Sequence, residues 1–283
     1  MDAAAIRYLA IGGLVIGFLV IARFFIVPPL LRAVLGVREG AGKPLRWRER
    51  VELRYQKLEM FVWMFAWFKL RLDPMFVELP EFLRALPDLC TALDLGCGYG
   101  FVGSSLLEWN AGLKIYGVDP NPKRVRAAAR AFGERGQVAC AGAPDFEMPE
   151  FPGRFDAVLC LDVIHFLTDE ALALTLTRIR ARLDEGGHLL LRAPMKPEGI
   201  GSMSWNIDRF GRAVSGAYAC YRTVAQVSEA IAGAGFRITQ SPISGTNPEL
   251  RWFVAIASPQ VFNAKVRRNG GHQEELERVP RNS

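Results

Sequence analysis

From Cys90 onward, short apolar runs alternate with helix-like stretches, and this alternation narrows the possible folds more than any other feature of the chain. Cys90 to Leu95 reads as a strand ending at Gly96, Phe101 to Trp109 as a helix, Lys114 to Val118 as a strand and Lys123 to Glu134 as a basic helix. Gln137 to Ala141 is a weak strand signal and Phe155 to Leu161 a strong one; Glu170 to Leu183 is helical and stopped by Gly186-Gly187, before an apolar strand from His188 to Arg192. Strands joined through helices imply βαβ units and a parallel sheet covered on both faces. Thr223 to Gly233 then gives another helix, and Phe236 to Ser241 with Trp252 to Ser258 reads as a closing pair of strands. There is no internal repeat.

Between the first strand and its helix lies Asp94-Leu95-Gly96-Cys97-Gly98-Tyr99-Gly100. Its glycines admit two readings. Gly98-x-Gly100-x-x-Gly103, with Asp119 about 20 residues on, has the spacing of a dinucleotide-binding turn. That reading would push Asp94 and Gly96 into the body of a strand buried on both faces, where an unpaired carboxylate is expensive. If Gly96 ends the strand, Asp94 sits at the carboxyl edge of the sheet, where open α/β folds bind ligands. There a carboxylate can face a cationic amino group, the glycines let backbone approach a ligand closely, and Asp119 can accept hydrogen bonds from both hydroxyls of a ribose.

Leu93-Asp-Leu-Gly-Cys-Gly-Tyr-Gly100, Gly117-Val-Asp-Pro-Asn121, Phe155-Asp-Ala-Val-Leu-Cys-Leu-Asp-Val-Ile-His165 and Glu185-Gly-Gly-His-Leu-Leu-Leu191 occur in this order. Together they resemble the successive motifs of class I S-adenosylmethionine-dependent methyltransferases, over roughly residues 79–258. The resemblance implies an α/β, Rossmann-like fold with a seven-stranded, mostly parallel sheet whose last strand is antiparallel. It also implies S-adenosylmethionine as cofactor. Asp94, Gly96, Cys97, Gly98 and Gly100 are then expected at the methionine end, Asp119 at the ribose, and Pro120 and Asn121 beside adenine or ribose. Asp162 is expected to shape the pocket. The family often has Gly-Asp-Ala after the third strand; this chain reads Ala141-Gly142-Ala143-Pro144-Asp145-Phe146, so Ala143 is assigned to the adenine site, with the contact coming either from a displaced Asp145 or from backbone.

The amino-terminal residues suggest a membrane. Tyr8 to Ala22 carries no charge, and the stretch from Ala3 to Val27 is long enough to cross ~30 Å of hydrocarbon, which needs about 20 helical residues. Arg7 and Arg23 can snorkel to the two interfaces, and Pro28-Pro29 ends the helix. The start Met-Asp-Ala-Ala-Ala and the lack of a small-x-small site argue against a cleaved signal. Of the net charge of +6, the segment Arg32 to Lys57 supplies eight basic and three acidic residues. Such a block beside an apolar span suits anionic headgroups rather than nucleic acid, and sets the carboxy-terminal side in the cytoplasm. The expectation is a single-pass cell-membrane protein with a cytoplasmic catalytic domain. Its expected parts are an anchor (1–31), a basic and aromatic helical segment (32–78), a methyltransferase domain (79–259) and a disordered polar tail (260–283). Five cysteines without a CxxC pair, and three scattered histidines, give neither a disulfide framework nor a metal set. Nothing in the sequence fixes the oligomeric state.

Met60-Phe-Val-Trp-Met-Phe-Ala-Trp-Phe68 is too short to span. Aromatic rings flanked by Arg54, Lys57, Lys69 and Arg71 suit either the headgroup boundary or a helix roofing the catalytic domain. Asp162 and His165 follow the fourth strand, and the resemblance puts such an Asp-x-x-His pair at the cleft. His165 is the candidate base for an acceptor that carries a proton. Arg192 to Tyr221, with Met195, Met203, Trp205, Phe210, Tyr218 and Tyr221, occupies the family's substrate-binding insertion and suits an apolar acceptor with a polar head. The expected substrate is small, apolar or lipid-like and membrane-associated. The alternatives are a nicotinamide-dependent oxidoreductase, favoured by the glycine spacing, and a silent membrane-anchored cofactor-binding module.

Overall fold

The computed structural model describes residues 27–37, 44–84, 86, 89–203, 205–207, 209–210 and 218–258. The expected span falls outside these residues except for Val27, and the polar tail falls outside them entirely. Among the described residues no helix is long and apolar enough to cross a membrane.

One mixed sheet organises the chain, with strands β1 (Thr91–Leu95), β2 (Lys114–Val118), β3 (Gly136–Ala139), β4 (Phe155–Leu161), β5 (Leu183–Pro194), β6 (Phe236–Gln240), β7 (Ile243–Ser244) and β8 (Asn247–Ala257). The order is β3-β2-β1-β4-β5-β8-β6, with β7 paired to β8. β1 to β5 pair in parallel. β8 runs antiparallel between β5 and β6, with Leu190 opposite Val254 and Ile238 opposite Ala255. The closing pair is therefore present, and β7 brings the sheet to eight strands. Its central strands are Leu-, Val- and Ala-rich because helices cover both sides, so alternation would gain nothing.

One correction concerns Gly186-Gly187. The helix Asp169–Ala181 closes before it, and β5 already starts at Leu183. Pairing with β4 jumps from Phe155–Leu183 to Ala157–His188, so residues 184–187 bulge out of the ladder. A Cβ on Gly187 would lie 2.9 Å from the Asp184 carbonyl oxygen, which is why the bulge needs glycine there.

On one face, helices Trp47–Gln56, Met60–Leu72, Met75–Leu83, Phe101–Trp109 and Pro122–Phe132 share a core containing Tyr55, Trp63, Leu70, Phe76, Leu106 and Phe132. Asp169–Ala181 and Val224–Gly233 pack on the other, around Leu172, Ile179, Val227 and Ile231. The amino-terminal helices are thus continuous with the core of the sheet. Their arginines are partly committed to it: Arg50 and Arg54 both pair with Glu108, at 2.6 and 2.5 Å, and Arg32 donates to the Leu58 carbonyl at 2.7 Å. The basic block read from the sequence is therefore not all solvent-facing charge.

Candidate functional site

The loop after β1 is built on backbone conformations that only glycine adopts cheaply. Gly96, Gly98 and Gly100 have φ of 78°, 57° and 81°. The N–H groups of Gly96 and Cys97 both donate to the Val118 carbonyl, at 2.8 and 2.9 Å, which ties the turn to the end of β2. A Cβ on Gly96 would strike Val163 at 2.4 Å, whereas one on Gly98 would meet nothing within 4 Å. Gly98 therefore faces open space beside the cavity, as a loop meant to be approached by a ligand must. Gly103 has another purpose: its Cβ would strike the Phe132 ring at 2.4 Å, so it lets two helices close. That accounts for the third glycine of the dinucleotide spacing by packing alone.

Asp94 lies at the floor of a cavity of about 230 Å³ lined by Gly96, Cys97, Gly98, Tyr99, Phe101 and Val102 from the loop and its helix. Leu161 and Asp162 line it from β4, Arg124 from the basic helix, and Phe65, Lys69 and Met75 from the amino-terminal helices. The Asp94 side chain is buried, and among the described residues its Oδ2 has no hydrogen-bond partner. Burial first, and then the charge of Asp119, push its carboxyl up to about 7, against a smaller pull from a Gly103 backbone hydrogen bond. A carboxylate held this way calls for a cation, and the ammonium of a methionine moiety meets that need. Burial beside the same two carboxylates drives the Cys97 thiol well upward, so Cys97 acts as a small apolar wall.

Asp119, also buried, accepts from the Gly98 N–H at 3.0 Å and the Asn121 N–H at 2.9 Å. It braces the glycine loop from the neighbouring strand and keeps further lone pairs on both oxygens for ribose hydroxyls. Tyr55, from helix Trp47–Gln56, braces the loop from the other side, donating to the Tyr99 carbonyl at 3.1 Å and bonding the Ser104 hydroxyl at 2.9 Å.

A charge cluster missed at the sequence level joins the cover to the sheet. Arg192, fully buried at the end of β5, makes paired bonds to Asp73 (2.6 and 3.0 Å) and to Asp162 (3.1 and 2.5 Å). Burial alone would raise the Asp73 carboxyl, but its bonds to Arg192, with Lys69 at 2.6 Å, hold it well below the usual carboxylate range. Asp162 has φ +58°, a left-handed conformation uncommon for a residue other than glycine, and Arg192 grips its carboxylate there. Through these bonds helix Met60–Leu72 is fixed over the cavity, with Lys69 inside it.

The remaining expected residues are dispersed. Gly100 is the N-cap of Phe101–Trp109 and packs on Ala128. Pro120 and Asn121 are exposed beyond Asp119, and the Asn121 side chain caps helix Pro122–Phe132, accepting from Lys123 and Arg124. Ala143 is half-buried, next to the Gly142 that faces Pro120, while Asp145 turns to the Arg178 guanidinium. None of Pro120, Asn121, Ala143 and Asp119 lines the cavity around Asp94; they lie along the β2–β3 side of the loop. His165 is buried in the turn Ile164–Phe166, its ring 4.0 Å from that of Phe166 and stacked at 6.1 Å on Tyr221, which packs edge-on against Trp205. It therefore sits at the root of the Arg192-to-Tyr221 insertion and outside the Asp94 cavity.

Sequence comparison agrees with this geometry. Residues 93–189 match the model of a family described as a methyltransferase domain. The cofactor of this chain is S-adenosylmethionine. Over 93 residues the chain is 37% identical to magnesium-protoporphyrin O-methyltransferase of Synechocystis sp., a match covering 31% of this chain and 38% of that enzyme. Over 99 residues it is 31% identical to ubiquinone biosynthesis O-methyltransferase of Nitrobacter winogradskyi, covering 34% and 35%. The matches thus span little more than a third of these relatives' length. Human N-acetylserotonin methyltransferase, solved with its cofactor, shares the fold with a TM-score of 0.54 and 19% identity, over 84% of this chain and 69% of that one. The match stops at residue 189, so Arg192 and the segment after β5 lie beyond the matched residues.

Proposed function

We propose that the protein transfers a methyl group from S-adenosylmethionine to an oxygen of a small, apolar or lipid-like acceptor at a membrane. The observation that carries the first half is Asp94, a buried carboxylate with an unpartnered oxygen at the floor of a cavity beside the glycine loop. S-adenosylmethionine supplies an electrophilic methyl group on a sulfonium, and transfer is an in-line displacement that depends chiefly on positioning and exclusion of water. Asp94 would hold its ammonium, Lys69 and Arg124 are the cations able to meet its carboxylate, and Asp119 would take the ribose hydroxyls. Pro120, Asn121 and Ala143 are assigned to the adenine side. Phe65 and Met75 exclude water from the cavity.

Oxygen as the acceptor atom follows the names of the two curated relatives, both O-methyltransferases. A hydroxyl acceptor must lose a proton, and His165 is assigned that proton. The lipid-like acceptor is supported by exposed Ile200, Met203, Ile207, Phe210 and Tyr218 in the insertion. A membrane-anchored arrangement with the catalytic domain in the cytoplasm is supported by the uncharged run from Tyr8 to Ala22.

Calorimetry of the full chain with S-adenosylhomocysteine, which keeps the amino-acid end, tests the cofactor half. Asp94→Asn is expected to weaken binding by about 2 kcal/mol or more, roughly thirtyfold; unchanged affinity would overturn the assignment. Radiolabelled cofactor incubated with membrane extract tests the acceptor. Label should enter the organic phase, and label in protein or nucleic acid would sink the acceptor class.

A further inference from the structure

Two surface features meet at Tyr99. On helix Met60–Leu72, Phe61, Phe65, Phe68 and Leu72 form a stripe at helical spacing that the fold leaves exposed, by 67%, 40%, 46% and 74%. The opposite side of the same helix, with Val62, Trp63, Ala66 and Leu70, is fully committed to the core. The second feature is a groove of about 160 Å³ between the start of this helix and helix Pro122–Phe132, lined by Leu58, Glu59, Val62, Tyr99, Ala127 and three cations. Those cations, Lys123, Arg126 and Arg130, repeat at helical spacing along one face, and among the described residues the helix pairs with an acid through Arg124 instead. Glu59 is the one acid among the lining residues. Phe61 and Phe65 both pack edge-on against Tyr99, at 6.4 and 6.1 Å, so the stripe and the groove are neighbours.

We propose that this face, the Phe61–Leu72 stripe together with the Lys123–Arg126–Arg130 row, docks on an anionic phospholipid bilayer. The proposal deepens the membrane-associated reading above and rests on it. Aromatic rings beside cations match the two layers of such a surface, rings at the acyl boundary and guanidinium or ammonium groups among phosphates. The chain outside the described residues also points here. The apolar residues preceding Val27 join the fold through helix Val27–Leu35, whose Arg32 bonds Leu58 and lies 5.9 Å over the Trp63 ring. A span leading into that helix would deliver the groove and stripe to the bilayer surface. A second copy of the chain fits less well, because a two-fold contact would set the cation rows against each other. Phe65 and Tyr99 also line the Asp94 cavity, so docking would bring the methyltransferase site within reach of a substrate dissolved in the membrane.

The test uses the full chain with p-benzoylphenylalanine in place of Phe68, or of Leu174 on the opposite side of the sheet as control. Each protein is mixed with vesicles of phosphatidylcholine and phosphatidylglycerol, floated on a density gradient, irradiated and examined by mass spectrometry. A phospholipid adduct is expected at position 68 and not at 174. Adding K123E, R126E and R130E is expected to cut the adduct by about tenfold or more, since each cation near an anionic surface is worth roughly fivefold in binding. Flotation without an excess of adduct at 68 would overturn the docking face while leaving the anchor intact. Failure to float would overturn both. Cross-linked dimers in place of lipid adducts would identify a second copy as the occupant, and an adduct indifferent to the triple variant would remove the cation row from the proposal.

Discussion

The carboxyl edge of the sheet and the helices that cover it are built by opposite rules. At the edge, polar groups are buried and answered: the Asp119 carboxylate takes two backbone N–H groups, the Val118 carbonyl takes two more, and Gly96 leaves no room for a Cβ. Asp94 alone among these is left with an oxygen that no described residue answers. On the cover, apolar groups are exposed and unanswered, from Phe61 to Leu72 and from Ile200 to Phe210. The first region is finished by its own chain and lacks only a cationic ligand; the second is unfinished along whole faces. Chemistry is thus fixed where backbone and strand ends hold it, and partner choice is left to surfaces that can vary without disturbing it.

Arg192 is where the two regions are joined, so breaking it separates them. Arg192→Met would leave Asp73 and Asp162 with only Lys69 against their charge, and is expected to cost about 3 kcal/mol of stability. Urea unfolding measures that loss, and S-adenosylhomocysteine calorimetry should report weaker binding as Lys69 loses its anchorage. A variant with wild-type stability and affinity would mean the cover sits on the site without being held by it.

The same contrast explains what could be read without coordinates. Phe101–Trp109, Lys114–Val118 and Phe155–Leu161 are the residues expected from the sequence, because turn glycines, a helix-capping Asn121 and continuous apolar runs mark their ends locally. The Asp94-to-Gly100 loop was legible for the same reason. Arg192 was not, since its partner Asp73 lies 119 positions away and such pairs leave no local pattern. A charged residue closing an apolar strand was the one available signal. Gly186-Gly187 misled because a glycine pair ends a helix and makes a strand bulge with equal ease. Nor does the sequence show that two arginines of the basic block, Arg50 at the surface and Arg54 beneath it, share Glu108.

A smaller effect sharpens the edge's side of the comparison. The Asp94 carboxyl rises from an ordinary 3.8 to about 7, so its ionisation is disfavoured in the ligand-free fold. Between these values the folded chain holds a proton the unfolded chain has lost, and Asp94 therefore subtracts stability as pH rises toward 7. A cationic ligand needs the ionised form. Cofactor affinity should accordingly fall by up to about tenfold per pH unit below 7, and level off above it. Calorimetry in buffers of different ionisation enthalpy should detect a proton released on binding near pH 6, and Asp94→Asn should flatten the profile. A flat wild-type profile would mean Asp94 already carries its charge.

The smallest effect belongs to the cover, and it is informative because it is small. Phe61 and Phe68 lie on the outer side of a helix whose inner side holds Trp63, fully buried under the Arg32 guanidinium. Trp63→Ala should cost about 3–5 kcal/mol, as removal of a large core ring does. Phe61→Ser with Phe68→Ser, on the exposed side of the same helix, should change stability in urea unfolding by no more than about 0.5 kcal/mol. If the double variant destabilises like Trp63→Ala, those rings are core and the stripe is no surface at all. If stability holds, the rings are free of any folding duty, and their placement along one exposed line of the helix has to be explained by what the helix meets outside the chain.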